Sequence, residues 1–262
     1  MSRIGERFAQ LRARGEKGLV IYIMAGDPDL ETTRRLILEL EQAGADVIEL
    51  GVPFTDPLAD GPSIQAANER ALASGTTLDQ ILEMVRGLRA ETQIPILLMT
   101  YYNPIFRAGH ERVAAAAREA GVDGMLITDL PPEEGTEWKR VADAHGLDTI
   151  FLLAPTSTDE RIRIAAEIAS GFIYCVSRTG VTGARAELPE DLHALLDRIR
   201  ARTDQPIAVG FGVSTPEHVR QIGEWCDAAV VGSAVVNLIA REGQDSVSAV
   251  GEFVRSLKGK PA

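Results

Sequence analysis

Apolar residues in this chain fall into short runs separated by longer amphipathic stretches, and the two kinds of segment alternate almost from end to end. Eight runs read as strands: Leu19–Met24, Asp46–Gly51, Pro95–Thr100, Asp123–Thr128, Leu147–Leu152, Phe172–Val176, Pro206–Gly210 and Ala228–Val231. Most lack apolar–polar alternation, as expected of strands covered on both faces. Between them the spacing predicts helices over Leu30–Ala43, Leu78–Ala90, Glu111–Ala120, Glu133–His145, Asp159–Ser170, Pro189–Ala201 and Pro216–Glu224. Extra helical pieces are expected at Glu6–Arg14, before the first strand, and at Gln65–Ala73, ahead of Leu78; Val247–Leu257 reads as a last helix. Eight strand–helix repeats argue a parallel sheet closed into a ring. The expected fold is α/β, a (β/α)8 TIM barrel with an extra N-terminal helix and additional helices in its βα loops. Ala43-Gly44-Ala45-Asp46, Ala120-Gly121-Val122-Asp123 and Cys226-Asp227 each close a helix and turn into a strand. Where glycine is present it supplies the left-handed cap, and Asp begins the turn. No Pro/Ser-rich linker or shift in composition breaks the pattern, so residues 1–262 are expected to form one domain.

Composition narrows the chemistry. With 27 basic and 38 acidic residues the net charge is −11, which disfavours nucleic acid and anionic membranes as partners. The N-terminus is charged, without the apolar core of a signal peptide, and no stretch approaches the ~18 apolar residues of a membrane span. A soluble, cytoplasmic protein is expected. Cys175 and Cys226 lack metal-type spacing and are expected to be buried and reduced. The four histidines, His110, His145, His193 and His218, fall in or at the start of helical segments with no ligand spacing, and are expected to be solvated. No Walker loop, nucleophile elbow or dinucleotide fingerprint occurs, and no strand-like run ends in Lys. The chemistry therefore falls to carboxylates, with no metal and no cofactor on the chain.

In a barrel of this kind chemistry sits on the loops after the strands. The second loop carries the strongest signal, ELGVPFTDPLADGP: Glu49 ends a buried strand, and Pro53, Pro57 and Pro62 stiffen the loop bearing Asp56 and Asp60. A carboxylate at the end of a core strand is costly to desolvate. Glu49 and Asp60 are thus the expected acid/base and polar anchor, with Asp56 left as a turn residue. Tyr22, in the first strand, is a candidate pocket wall, and Asp29 a helix cap. Tyr101 and Tyr102 after the third strand suit a planar aromatic ligand or equally plain packing. Asp129 after the fourth suits a polar role in the site or a helix cap. The loop Ser177–Gly183 holds two glycines and three hydroxyls, and Gly210-Phe211-Gly212 and Gly232-Ser233 end the last two strands. Glycine there lets backbone approach a ligand, and a helix opening at Ser233 presents free N–H groups to an anion, so a phosphate site is expected.

Together ELGVPFTDPLADGPSIQ, SRTGVTG, VGFGVSTPEHV and VVGSAVV resemble the tryptophan synthase α-subunit family over nearly the whole chain. The resemblance implies cleavage of indole-3-glycerol phosphate to indole and glyceraldehyde 3-phosphate. It also implies a pyridoxal-phosphate-bearing β subunit as partner in an α2β2 assembly. Glu49 and Asp60 match the family's catalytic pair, and Gly183, Gly212, Gly232 and Ser233 its phosphate donors. Tyr174 matches a position beside the catalytic carboxylate, and Thr182 one that closes over Asp60. Tyr22, Met99, Leu126, Thr128, Leu152 and Phe211 match pocket-lining positions. Tyr22 stands where the family commonly has Phe, and Thr55 where it has Ser. A free-standing indole-3-glycerol phosphate lyase shares the same motifs and stays open as the alternative.

Overall fold

The computed structural model describes residues 2–176, 190–210 and 212–259. Its strands are β1 (Gly18–Met24), β2 (Val47–Gly51), β3 (Ile96–Thr100), β4 (Gly124–Ile127), β5 (Asp148–Ile150), β6 (Leu152–Leu153), β7 (Ile173–Val176), β8 (Ile207–Gly210) and β9 (Ala228–Val231). All pair in parallel, in the order β5-β4-β3-β2-β1-β9-β8-β7-β6. The two ends of this order, β5 and β6, are consecutive and separated only by Phe151. They are the halves of the one strand expected over Leu147–Leu152, so the nine parallel strands make the nearly closed eightfold barrel that the alternation predicts.

Side-chain parity divides the core in two. Leu19, Ile21 and Ile23 of β1, with Ile48 and Leu50 of β2, point outward and join the layer under the helices. Val20, Val47, Leu97, Leu126, Ile150, Phe172, Ala208, Ala228 and Val230 point inward and fill the barrel. This is why the runs carry no polar alternation.

Helix α1 (Arg3–Arg14) closes the entrance of the barrel at the N-terminal ends of the strands. Ser2 caps it by accepting the Gly5 N–H, and Gly15 ends it at φ 66°. Its apolar side, Ile4, Phe8 and Leu11, packs into the interior cluster, with the Phe8 ring 5.6 Å from that of Phe172. Phe8 is only 5 % exposed. Phe8→Ala is expected to lower the unfolding free energy by about 3–5 kcal/mol, read as a reduced midpoint in denaturant titration at unchanged slope.

The outer ring comprises α2 (Leu30–Ala43), α3 (Pro62–Ala73), α4 (Leu78–Leu88), α5 (Tyr102–Ala108), α6 (His110–Ala120), α7 (Thr136–Ala144), α8 (Asp159–Ile168), α9 (Glu190–Arg200), α10 (Pro216–Trp225), α11 (Ser233–Glu242) and α12 (Ser246–Leu257). Asp29 caps α2 as expected, and Thr77 with Gln80 forms a capping box on α4. Among the described residues, α5 is the one α-helix the sequence pattern misses, beside a short 3-10 turn at Gly243–Asp245. Pro104 falls in its first turn, where a missing N–H costs nothing, and the Asp129 carboxylate accepts the Tyr102 N–H at 2.7 Å. Asp129 is therefore a cap, but of α5 rather than of the helix that follows it.

At the base of the barrel one device recurs three times. Asp46, Asp123 and Asp227 lie just before β2, β4 and β9 and accept the N–H of Leu19, Ile96 and Ile207 on neighbouring strands. Each also meets an arginine: Arg7 on Asp46, Arg3 and Arg89 on Asp123, Arg200 on Asp227. Asp46 in addition holds Lys258 at the far end of α12. A cleft of about 720 Å³ opens beside this base, lined by Arg3, Arg89, Asp123 and Asp148 among others. Its buried acid, Asp123, is already taken up by these bonds, and Asp148 accepts from the Ser2 hydroxyl.

Cys175 and Cys226 are free and buried, as expected. His110 is not solvated as expected. Its ring lies among those of Tyr102, Phe106 and Trp138, and its Nδ1 is 3.5 Å from Glu137. Among the described residues no helix is long and apolar enough to cross a membrane, and no group of three or more His, Cys, Asp or Glu side chains is placed to hold a metal ion.

Candidate active site

Glu49 follows from the parity of β2. Val47, Glu49 and Gly51 share the inward face, and Glu49 is paired in register with Tyr22 on β1 and Leu97 on β3. It is 0 % exposed, and no described residue gives either carboxylate oxygen a hydrogen bond of good geometry. Burial pushes its pKa from the ordinary 4.5 to about 8, and the nearby Asp60 charge pushes the same way. The Tyr174 hydroxyl, facing it from β7, pulls weakly in the other direction. Glu49 therefore rests mainly as a neutral acid at pH 7 and can give up a proton.

Asp60 is brought opposite by the loop after β2, which helix α3 holds in shape. The buried Asn68 side chain accepts the Phe54 N–H and donates to the Phe54 carbonyl, both at 2.7 Å. Gln65 Nε2 donates to the Asp60 carbonyl at 2.9 Å. Asp60 is half-buried, and that burial raises its carboxyl above the usual range while the Tyr101 hydroxyl opposes the rise. Asp56 stays exposed; its carboxylate accepts from the Thr55 hydroxyl at 2.6 Å and its carbonyl from the Leu58 N–H at 2.8 Å, a turn residue as expected.

Three of the chain's four tyrosines gather round the two acids. Among the described residues the buried Tyr22 hydroxyl has one hydrogen-bond contact, Met24 Sδ at 3.9 Å. Burial first, then the charges of Asp60 and Glu49, keep that hydroxyl protonated. Burial and Glu49 do the same for Tyr174. Two glycines make room for these rings: a methyl at Gly51 would lie 2.3 Å from the Tyr22 hydroxyl, and one at Gly210 would lie 2.8 Å from that of Tyr174. Met99 packs against both the interior cluster and the upper cluster of Tyr22, Met24, Ala67, Ala71 and Val236. Leu126 and Leu152 belong to the interior cluster. The Thr128 hydroxyl donates to the Thr100 carbonyl at 3.2 Å.

The expected anion site falls at the start of helix α11. Gly232 is its N-cap and supplies no capping side chain, which leaves the first-turn N–H groups from Ser233 onward without a side-chain cap. A methyl at Gly232 would lie 3.4 Å from Tyr22 Cβ, so this end of the helix abuts the wall of the site. Gly212 lies after β8 with φ 49°, a conformation that side chains strain. The expected site residues Thr182, Gly183 and Phe211 lie outside the described residues.

Sequence reasoning left open or passed over three residues that shape the site. Tyr101, open between pocket and packing, is anchored at the loop tip, where its hydroxyl accepts the Ala59 N–H at 3.0 Å. Asn68 looks like any helix residue until the loop folds back on it. Asp27 is buried and takes two 2.7 Å bonds from Arg70 that tie the loop after β1 to α3.

Comparison with known proteins gives matches over nearly the whole chain. The sequence profile of the family described as "Tryptophan synthase alpha chain" matches residues 8–260. A tryptophan synthase alpha chain from Geobacter sp. (strain M21) is 54 % identical over 98 % of this chain and 97 % of its own length. One from Roseiflexus sp. (strain RS-1) is 53 % identical over 99 % of this chain and 100 % of its own. The crystal structure of tryptophan synthase subunit alpha from Legionella pneumophila superposes with a TM-score of 0.91 at 40 % identity, covering 99 % and 98 % of the two chains. A mutant tryptophan synthase alpha-subunit from Pyrococcus furiosus gives 0.86 at 41 % identity, covering 92 % and 98 %. An acid buried in the barrel, a second acid on the loop above it and matches that run nearly the full length of the chain lead to one conclusion: the chain belongs to the tryptophan synthase alpha chain family.

Proposed function

We propose that the chain is a carbon–carbon lyase that cleaves indole-3-glycerol phosphate to indole and glyceraldehyde 3-phosphate. The observation that carries this reading is Glu49, a fully buried acid with no hydrogen bond of good geometry among the described residues, facing Asp60 at the mouth of the barrel. Neutral Glu49 gives its proton to the indole carbon that bears the side chain. Asp60 accepts a hydrogen bond from the indole N–H and offsets the positive charge that forms on the ring. Glu49, now a carboxylate, takes the proton of the adjacent hydroxyl. The C–C bond breaks, its electrons return to the ring, the hydroxyl carbon becomes the aldehyde, and Glu49 ends protonated as it began.

Tyr22, Met99, Leu126, Thr128, Leu152, Tyr174 and Phe211 line the space for the indole. Thr182, outside the described residues, matches the family position that closes over Asp60. Backbone donors at Gly183, Gly212, Gly232 and Ser233 hold the phosphate, which suits a chain of net charge −11 because such donors need no excess of Lys or Arg. No cofactor is required on this chain. Indole passes to a β subunit carrying pyridoxal phosphate, in an α2β2 assembly in the cytoplasm.

The test is indole release from indole-3-glycerol phosphate by the purified chain, with and without a tryptophan synthase β subunit. Slow release that rises strongly with the β subunit supports the assembly. Fast release alone would make the chain a free-standing lyase, and no cleavage in either condition would overturn the reading. A second measurement addresses the anion site. Gly212→Asp strains a positive-φ position and adds a negative charge, so glyceraldehyde 3-phosphate is expected to bind at least about 10-fold more weakly. Indole affinity is expected to stay within about twofold, and equal losses for both ligands would remove Gly212 from the phosphate site.

A further inference from the structure

We infer that Tyr101 is a positioning residue for Asp60, its hydroxyl spanning from the backbone of the catalytic loop to the Asp60 carboxylate. The inference rests on the reading of Asp60 as the acceptor of the indole N–H. Tyr101 follows β3, is 5 % exposed, and stacks on Phe54 of the same loop with ring centroids 5.1 Å apart and planes 29° from parallel. Its hydroxyl accepts the N–H of Ala59, the residue just before Asp60, at 3.0 Å. A phenol has one proton to donate besides the lone pair that takes this bond. The hydroxyl is within reach of the Asp60 carboxylate and of the Thr128 side chain; the carboxylate is the stronger acceptor, and donation to it favours the charged form of Asp60.

Other groups facing Asp60 cannot do this as well. Glu49, from β2, is itself an acid, and Tyr22, from β1, has its hydroxyl beside Met24 Sδ. The loop is thus held from two sides. Asn68 and Gln65 of α3 fix its backbone, and Tyr101 fixes the side chain that points into the site.

Tyr101→Phe removes the proton but keeps the ring and its stack. Loss of one hydrogen bond to a charged group is expected to lower kcat for indole-3-glycerol phosphate cleavage by about 10–100-fold. KM is expected to stay within about threefold. Without the donor, Asp60 ionises at higher pH, so the acid limb of the kcat profile moves upward while the alkaline limb, set by Glu49, stays. Phe54→Leu serves as the contrast, since it loosens the stack but leaves the hydroxyl; it is expected to lower the melting temperature without moving the acid limb. If Tyr101→Phe leaves the acid limb in place, or if Phe54→Leu moves it equally, Tyr101 only packs and the inference is wrong. Asp60→Asn, assayed in parallel, separates the two readings. A near-normal rate in that variant removes Asp60 from the reaction whatever Tyr101 does.

Discussion

Glu49→Gln is expected to reduce turnover at least about 1,000-fold while leaving substrate affinity within a few-fold. One carboxyl serves as acid and then as base, and each such role is typically worth about 10²–10⁴. Glutamine fills the same space inside the barrel but can neither give nor take the proton. Pre-steady-state turnover and equilibrium binding of indole-3-glycerol phosphate measure the two quantities separately, and a parallel loss in both would remove Glu49 from the acid/base role.

The same variant should differ in stability in a way that depends on pH. Folding raises the Glu49 pKa from the ordinary 4.5 to about 8, so the folded chain binds more protons than the unfolded chain between those values. The stability of the neutral carboxyl is fully present below about pH 4.5 and is lost as pH rises through about 8. Glutamine copies the neutral form at every pH. The variant is therefore expected to match the parent near pH 4 and to exceed it above pH 8, by an amount on the order of a few kcal/mol. Denaturant titrations at the two pH values check this, and a constant difference between them would mean that Glu49 is ionised in the folded protein.

Asp60→Asn is expected to lose about 10²–10³ in kcat. The amide oxygen can still accept a hydrogen bond from the indole N–H, so ground-state affinity should fall only slightly. What disappears is the negative charge opposite the ring once it has been protonated, an interaction that exists only as the reaction proceeds. Single-turnover rates at saturating substrate read that loss directly. A rate within about threefold of the parent would assign the cation to some other group.

Much of this arrangement was legible in the residues. The strands could be located because a run covered on both faces must be apolar throughout, and Glu49 stood out as the charge that breaks that rule. The sequence pattern placed one strand over Leu147–Leu152, and the structure interrupts it only at Phe151. Helix α5 escaped notice because Pro104 and the preceding tyrosines read as loop, and its cap is supplied by Asp129, 27 residues on. Tyr101 had two equal readings for a similar reason: only the fold of the loop after β2 brings Ala59 to its hydroxyl. His110 was misplaced because nothing in helix α6 announces the rings of Tyr102 and Trp138 around it. For α5 and Tyr101 the deciding partner is remote in sequence, and local pattern carries no trace of it.

The aspartate at the entrance to β2 has a consequence for the order in which the protein is made. Asp46 binds Arg7 in the first helix and Lys258 in the last, 212 residues away. Strand β1 likewise lacks its second neighbour until Ala228–Val231 exists. A nascent chain leaving the ribosome therefore carries an unpaired sheet edge, and a buried acid short of one cation, through most of its synthesis. Such long-range closures are slow because the entropy of joining distant segments must be met before their contacts form. The half-built barrel is the species most exposed to aggregation, and arrival of the last helix ends that exposure.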